Sequence, residues 1–166
     1  MAIDLHRAVL LGLLVLILFS ARNLEAQNSE LDSLLKVSVT APKDTNKVKL
    51  YNRIGYTYVE TGAYNNALSY SFQALELAQK LNYYPGLIKA YVQIGIVYWY
   101  QGDNKLALTY EFKGLDIATA RNSKQGISNA RNNIGMVYSV QSDYNRALEQ
   151  YFAVLKILSL VLLYNL

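Results

Sequence analysis

Small and apolar residues recur along this chain with a period of 40 positions. The aligned sets are Gly55, Gly95 and Gly135; Tyr58, Tyr98 and Tyr138; Ala67, Ala107 and Ala147; and Leu75, Leu115 and Leu155. Within each period the apolar positions lie three and four residues apart, which is the spacing of an amphipathic helix. A period of this length is typical of stacked arrays in which each unit buries its apolar face against its neighbours.

Each period predicts two helices joined by a short turn. In the first period, helix A is expected from about Lys47 to Glu60 and helix B from about Tyr64 to Leu81. Asp103 and Asp143 are placed to cap the B helices of the later periods, and Asn65 is expected to take that role in the first. We therefore predict an all-α solenoid of three antiparallel helix pairs behind a short N-terminal helix. The three repeats are expected at residues 46–85, 86–125 and 126–158.

The first 45 residues do not follow this period. Ala8–Phe19 is a run of twelve apolar residues, a length typical of a signal-peptide core and too short to span a bilayer. Residues 1–26 are therefore predicted to be a signal peptide that directs the chain across the inner membrane, to the periplasm or outside the cell. An uncleaved anchor formed by residues 8–19 is the alternative. Residues 27–45 are expected to form a short helix, Asn28–Lys36, and a linker broken by Pro42.

Composition restricts the chemistry of the chain. The net charge is +4 and the basic residues are scattered, so a nucleic-acid surface is not expected. There is no cysteine and one histidine, His6, which lies in the predicted signal peptide; imidazole catalysis and His/Cys zinc sites are therefore not expected in the mature chain. The acidic residues, among them Glu111, are isolated and are expected to form a solvated face. We predict a non-enzymatic chain with no cofactor and no metal site.

The repeats resemble the tetratricopeptide repeat, whose motif reads Trp-x2-Leu-Gly-x2-Tyr in helix A and Ala-x3-Phe in helix B. The first part has three counterparts: Tyr51-x2-Ile54-Gly55-x2-Tyr58, Tyr91-x2-Ile94-Gly95-x2-Tyr98 and Arg131-x2-Ile134-Gly135-x2-Tyr138. The small residues are expected where helices A and B cross, and the tyrosines are expected to fill the wider gaps around that crossing. The resemblance implies a protein-interaction scaffold.

Helix B departs from the motif. The residues four positions after the alanine are Ser71, Glu111 and Tyr151, and phenylalanine follows each of them, at Phe72, Phe112 and Phe152. We expect the phenylalanines to compensate in the core and the buried face of helix B to be rotated slightly. The period exceeds that of the motif by six residues, which are expected to lengthen helix B by one to two turns.

In this family, helix A of each repeat lines an inner concave groove. The resemblance therefore places a binding surface at Lys49, Asn52, Tyr56, Lys89, Val92, Ile96, Trp99, Asn129, Asn132 and Met136. Trp99 is predicted to anchor an interface, with packing between repeats as the alternative. The expected occupant is a protein or peptide. A C-terminal carboxylate is not the expected ligand, because Tyr56 and Gln93 stand where carboxylate-binding members have asparagines.

The 40-residue variety of the repeat, behind a signal peptide, resembles the N-terminal region of bacterial sensor histidine kinases. This resemblance implies a sensing or adaptor module of a signalling protein. Two alternatives remain open. The chain is the N-terminal fragment of such a kinase without its catalytic domains, or it is a module that binds a small ligand or a glycan through its tyrosines.

The C-terminal end lacks the polar positions of the other B helices. Ala153–Tyr164 contains one charged residue, Lys156, whereas terminal repeats of solenoids usually present a polar outer face. Residues 159–166 are interpreted as an apolar tail. Either the chain is a fragment of a longer sensor, or the tail caps the stack or contacts a membrane or partner. An uncapped end is expected to cause self-association.

Overall fold

A computed structural model describes the backbone of residues 2–164 and the side chains of residues 7–16 and 29–159. This part of the chain forms seven α-helices and no strand. They are α1 (Ala2–Thr40), α2 (Thr45–Glu60), α3 (Tyr64–Lys80), α4 (Tyr84–Tyr100), α5 (Asn104–Ala120), α6 (Lys124–Val140) and α7 (Tyr144–Tyr164). The predicted all-α fold is confirmed.

Helix α1 forms a compact unit of its own, separate from the unit that begins at Ala41. The short helix expected from Asn28 is part of this longer helix, because no proline or glycine interrupts the chain between Gly12 and Pro42. Among the described residues, no helix carries an apolar stretch long enough to cross a membrane. The side chains around the predicted cleavage site after Ala26 lie outside the described residues.

The second unit is a solenoid of three helix pairs. Each of the helices α2 to α6 packs against the next one along the chain, and α4 also contacts α2 and α6. The first helices of the three pairs therefore lie side by side, and the second helices pack behind them. This is the predicted arrangement of antiparallel A and B helices.

Three-residue loops join the helices from α2 to α7. In the first loop, the N–H of Ala63 donates to the carbonyl of Tyr58 at 2.9 Å and the N–H of Gly62 to that of Val59 at 3.0 Å, which is the Schellman motif. The middle residue of every loop has a positive φ, between 51° and 82°. These residues are Gly62, Asn82, Gly102, Asn122 and Ser142.

The second repeat consists of two helices of 17 residues. The extra residues of the 40-residue period were expected to lengthen helix B alone. Because both helices have the same length, these residues are not confined to helix B. Tyr84 and Pro85, expected at the end of the first repeat, are the first two residues of α4. Proline fits there because the first turn of a helix needs no N–H donor.

Short polar side chains cap most of the helices. The carboxylates of Asp103 and Asp143 accept the N–H groups of Leu106 and Arg146 at 2.9 and 3.1 Å, which confirms both predicted caps. The first B helix differs, because its N-cap residue, Ala63, provides no side-chain bond. The expectation for Asn65 is wrong, since it lies inside α3, beyond the N-cap position.

The core has the packing predicted for the repeat. Ile54, Ile94 and Ile134 are fully buried. Tyrosines fill the spaces between neighbouring helices: Tyr98 stacks on Tyr110 with ring centroids 5.5 Å apart. Corresponding contacts join Tyr51 and Tyr58 to Tyr70, and Tyr91 to Tyr110. The packing interpretation of the core tyrosines is confirmed.

The expected rotation of helix B is wrong. Ser71 and Glu111 are fully buried, whereas the phenylalanines that follow them in sequence, Phe72 and Phe112, are 38% exposed, and Phe152 is 64% exposed. The position four residues after the alanine therefore keeps facing helix A, even where its residue is polar. The physical reason is the glycine of helix A, whose missing side chain leaves the space that this position fills: an added Cβ on Gly55, Gly95 or Gly135 would lie 3.0 Å or less from Ser71, Glu111 or Tyr151.

Candidate functional site

A pocket of about 610 Å³ opens beside the A helices of the three repeats. Helices α2, α4 and α6 each contribute lining residues, α3 contributes Tyr64, and α5 contributes Glu111. The pocket therefore needs all three repeats. Its volume lies within the range of about 300–1,000 Å³ that is typical of ligand sites.

Four of the predicted groove residues line this pocket: Tyr56, Ile96, Trp99 and Met136. The pocket thus contains at least one predicted residue from every repeat. Trp99, the only tryptophan of the chain, is partly buried against the ring of Tyr100, with centroids 4.9 Å apart.

Two predicted groove residues are buried and form part of the scaffold. Asn52 is 1% exposed, and its amide donates to the carbonyls of Val48 at 3.2 Å and Gly86 at 3.4 Å. Val92 packs with Leu115 in the core. Placing these two residues on the groove was wrong, because their face of the A helix contacts the neighbouring helices.

The other four predicted groove residues are exposed but do not line the pocket. They are Lys49, Lys89, Asn129 and Asn132. Asn129 accepts a hydrogen bond from Gln125 on its own helix, at 2.8 Å. A role of these residues in binding stays a prediction.

Glu111 is the residue of the pocket that sequence reasoning placed incorrectly. It was expected on a solvated face, yet it is fully buried. Its Oε1 accepts a hydrogen bond from Nδ2 of Asn133 at 2.8 Å, and its Oε2 has no hydrogen-bond partner. Its side chain lies against Gly95, where an added Cβ would be 2.8 Å from Glu111 Cγ. The sequence feature that could have indicated this burial is the carboxyl group itself, because it stands at the position where helices A and B cross.

Burial raises the pKa of Glu111 well above its ordinary value, and the hydrogen bond from Asn133 opposes this only in part. The titratable residues that line the pocket are Tyr56, Glu60, Tyr64, Tyr100 and Glu111, and neither lysine nor arginine is among the lining residues. Removal of the Glu111 proton would therefore leave a buried carboxylate without a cation beside it.

Protein stability should accordingly fall as pH rises. The folded state binds the Glu111 proton more tightly than the unfolded state does, so its stabilising contribution is present below the unfolded pKa of about 4.3 and is lost as pH rises through the folded pKa. Glu111→Gln keeps an acceptor for Asn133 and has no such loss. Urea unfolding should be measured for both proteins between about pH 4 and pH 8. The free energy of unfolding of the variant, relative to that of wild type, should increase as pH rises.

The matched control for that experiment is Asp116→Asn. Asp116 lies on the same helix and is exposed, so its replacement removes a carboxyl group without removing a buried one and should not reproduce the pH-dependent gain of Glu111→Gln. A stability difference between wild type and Glu111→Gln that does not change with pH would contradict the assigned burial.

Aromatic rings form one wall of the pocket. Tyr64 and Tyr100 stack with centroids 5.4 Å apart, and Trp99 adjoins Tyr100. Tyr56 stands near Glu60, whose carboxylate raises the pKa of the Tyr56 hydroxyl. Sequence reasoning missed Tyr64 and Tyr100, because both lie at helix ends outside the recurring motif positions.

No metal site is evident in the described part of the chain, where His, Cys, Asp and Glu form no group of three. The pocket offers carboxyl, amide and aromatic groups. Such a set is suited to binding through hydrogen bonds and ring contacts.

The geometry defines a helical-repeat scaffold with a pocket on the A-helix side, and comparison with known proteins gives its family. Residues 47–120 match the family model described as "Tetratricopeptide repeat". No curated protein matches the chain significantly. Residues 47–120 are thus assigned to tetratricopeptide repeats.

Solved structures share this fold. The TPR domain of FLU from Arabidopsis is 25% identical with a TM-score of 0.65, and the match covers 71% of this chain and 98% of that domain. Aspartyl phosphate phosphatase F from Bacillus subtilis is 16% identical with a TM-score of 0.73, covering 83% of this chain and 39% of that protein. A Rap protein complexed with Competence and Sporulation Factor is 22% identical with a TM-score of 0.67, covering 80% and 36%.

The fold is consistent with a protein–protein interaction module. Tetratricopeptide repeat proteins are generally non-catalytic scaffolds that bind proteins or peptides.

Proposed function

We propose that this chain is a non-enzymatic interaction module that holds a segment of a partner protein on its A-helix side. The observation that carries the proposal is the pocket, which side chains from all three repeats build together. A pocket with one apolar aromatic wall and a few buried polar groups is suited to one anchoring side chain of the partner. A solved structure with a similar fold, that of a Rap protein, is complexed with Competence and Sporulation Factor.

We further propose that the module is exported and serves as the sensing or adaptor part of a signalling protein. This rests on the apolar run Ala8–Phe19 and on the resemblance of the 40-residue repeats to bacterial sensor kinases. In one form of this proposal, the chain is the N-terminal part of such a kinase. A small-ligand module is the second candidate, and the pocket volume of about 610 Å³ favours it.

The test is selection from a random peptide library displayed on phage, with the full chain immobilised. Wild type should enrich specific peptides. Trp99→Ala and, separately, Tyr100→Ala should lose most of their binding, because they remove the aromatic wall of the pocket. Truncating an aromatic anchor of this kind typically costs about tenfold or more in affinity.

Phe112→Ala is the matched control, because Phe112 is an exposed aromatic residue of the B-helix layer and does not line the pocket. It should bind the selected peptides as wild type does. Thermal melting of each variant separates lost folding from lost binding. Failure of wild type to enrich any peptide, or enrichment unaffected by both pocket variants, would refute the proposed binding surface.

A further inference from the structure

We propose that the pocket takes the positively charged side chain of an arginine or lysine in the partner's peptide, held by the Glu111 carboxyl group and the aromatic wall. The inference rests on the proposed function and specifies what enters the pocket. It commits to a peptide side chain as the source of the charge.

The first argument is charge. The pocket lining contains two carboxyl side chains, Glu60 and Glu111, and no lysine or arginine. The chain as a whole carries a net charge of +4, so an acidic pocket without cations is a local feature of this site. An anionic ligand would meet two carboxyl groups with no cation to hold it, whereas a cation is complementary.

The second argument is the buried hydrogen-bonding group that lacks a partner. Oε1 of Glu111 is used by Asn133, but Oε2 is buried without a partner. The amide oxygen of Gln93, Oε1, is also a buried acceptor without a partner, and Gln93 lines the same pocket. Leaving buried acceptors unsatisfied costs stability. A guanidinium or ammonium group carries several N–H donors and satisfies such acceptors together.

The third argument is the aromatic wall. A cation is attracted to the face of an aromatic ring, most strongly to tryptophan, and the pocket has four such rings: Tyr56, Tyr64, Trp99 and Tyr100. The same kind of contact occurs elsewhere in this chain. The Arg121 guanidinium lies over the Tyr84 ring at 3.3 Å from its centroid.

A bound cation also changes the protonation of Glu111. In the empty pocket, burial keeps the pKa of Glu111 high, and an adjacent positive charge lowers that pKa again. Binding should therefore release a proton, and affinity should rise with pH until Glu111 is ionised in the free protein as well. Glu60 places a second carboxyl group at the same pocket.

The experiment compares short blocked peptides that differ at one position. The probes are acetyl-Ala-Ala-Arg-Ala-Ala-amide and the same peptide with citrulline, which has the shape of arginine without its charge. Trp99 is the only tryptophan and lines the pocket, so its fluorescence reports occupancy. The arginine peptide should bind the full chain about tenfold or more tightly than the citrulline peptide, with the preference growing as pH rises.

Glu111→Gln tests the assigned residue, because it preserves size and the acceptor for Asn133 but cannot carry a charge. It should reduce the preference for arginine over citrulline to about twofold or less. Asp116→Asn, the exposed change on the same helix, should keep the full preference. Equal binding of the two peptides to wild type, or an unchanged preference in Glu111→Gln, would overturn the inference.

Two further measurements distinguish a failure of this inference from a failure of the proposed function. Agmatine, a free guanidinium compound, should bind more weakly than the arginine peptide; equal or tighter binding would mean a small-molecule site and would reject the peptide source. Library selection on wild type should enrich arginine or lysine relative to selection on Glu111→Gln. Peptides that require Trp99 but show no such enrichment would leave the proposed function standing and refute this inference alone.

Discussion

Replacing Gly95 by leucine should abolish cooperative folding, and replacing it by alanine should lower the free energy of unfolding by about 1–3 kcal/mol. A Cβ at this position would lie 2.8 Å from Glu111 Cγ and 2.9 Å from its Cδ. The glutamate is fully buried and cannot move aside without disturbing the neighbouring helices. The result is opposite to the usual gain of about 1 kcal/mol when alanine replaces glycine within a helix. Urea unfolding measures both variants.

Gly114→Ala provides the graded control. There the nearest atom to an added Cβ is a methyl group of Val92 at 3.2 Å, so a shift of a few tenths of an ångström is sufficient and the loss should be smaller. A second variant, Gly95→Ala with Glu111→Ser, replaces the glutamate by the smaller residue that the first repeat has at this position, Ser71, and should recover part of the loss of Gly95→Ala. An unchanged melting temperature in Gly95→Leu would contradict the assigned crossing.

The repeat architecture could be predicted from the sequence because it is encoded redundantly. Three copies of each glycine, alanine and tyrosine position specify where helices cross, and Asp103 and Asp143 mark where B helices begin. The loop residues with a positive φ were harder to predict from the sequence. Two asparagines and a serine occupy that position as well as glycines, because the Schellman geometry of the loop imposes the conformation.

The pocket was only partly predictable, for a reason that Glu111 and Asn52 illustrate. Both residues are polar, and polarity alone suggests exposure. In the folded chain each is placed by the contact of its helix with a residue of another repeat: Glu111 with Asn133, and Asn52 with the carbonyl of Gly86. These contacts join residues that are 22 and 34 positions apart in sequence, so they depend on how separate helices are placed relative to one another. No periodic pattern in one helix contains that information.

Helix α7 shows a related limit. Its inner side is buried through Ala147 and Val154, as the period predicts. Its outer side carries a stripe of apolar residues, each about half or more exposed: Tyr144, Leu148, Phe152, Leu155 and Leu158. We call these five residues the α7 stripe. In the first two repeats, the B helix is followed by the A helix of the next repeat, which packs against it. All five residues of the α7 stripe precede the tail predicted at residues 159–166, so the exposed apolar surface begins earlier in the helix than that interpretation placed it.

The chain should self-associate through the α7 stripe. Covering a large apolar side chain contributes about 1.5–3 kcal/mol, and because these five are already partly covered, burying the stripe contributes on the order of 5 kcal/mol before the costs of association. Leu148→Lys combined with Phe152→Lys and Leu155→Lys should shift the full chain towards monomer, measured by light scattering over a range of protein concentrations.

Asn145→Lys with Glu149→Lys is the control, because both residues are exposed on the same helix beside the stripe. This pair also adds positive charge, so a general effect of charge repulsion would appear there too, whereas removal of an apolar contact would not. The apolar side chains of α1 from Val9 to Leu16 are exposed as well, and association through them would persist in the stripe variant. If wild type is oligomeric and the stripe variant has the same mass, the α7 stripe is therefore rejected as the contact. A monomeric wild type whose stripe variant melts earlier would instead assign the stripe to packing within one chain.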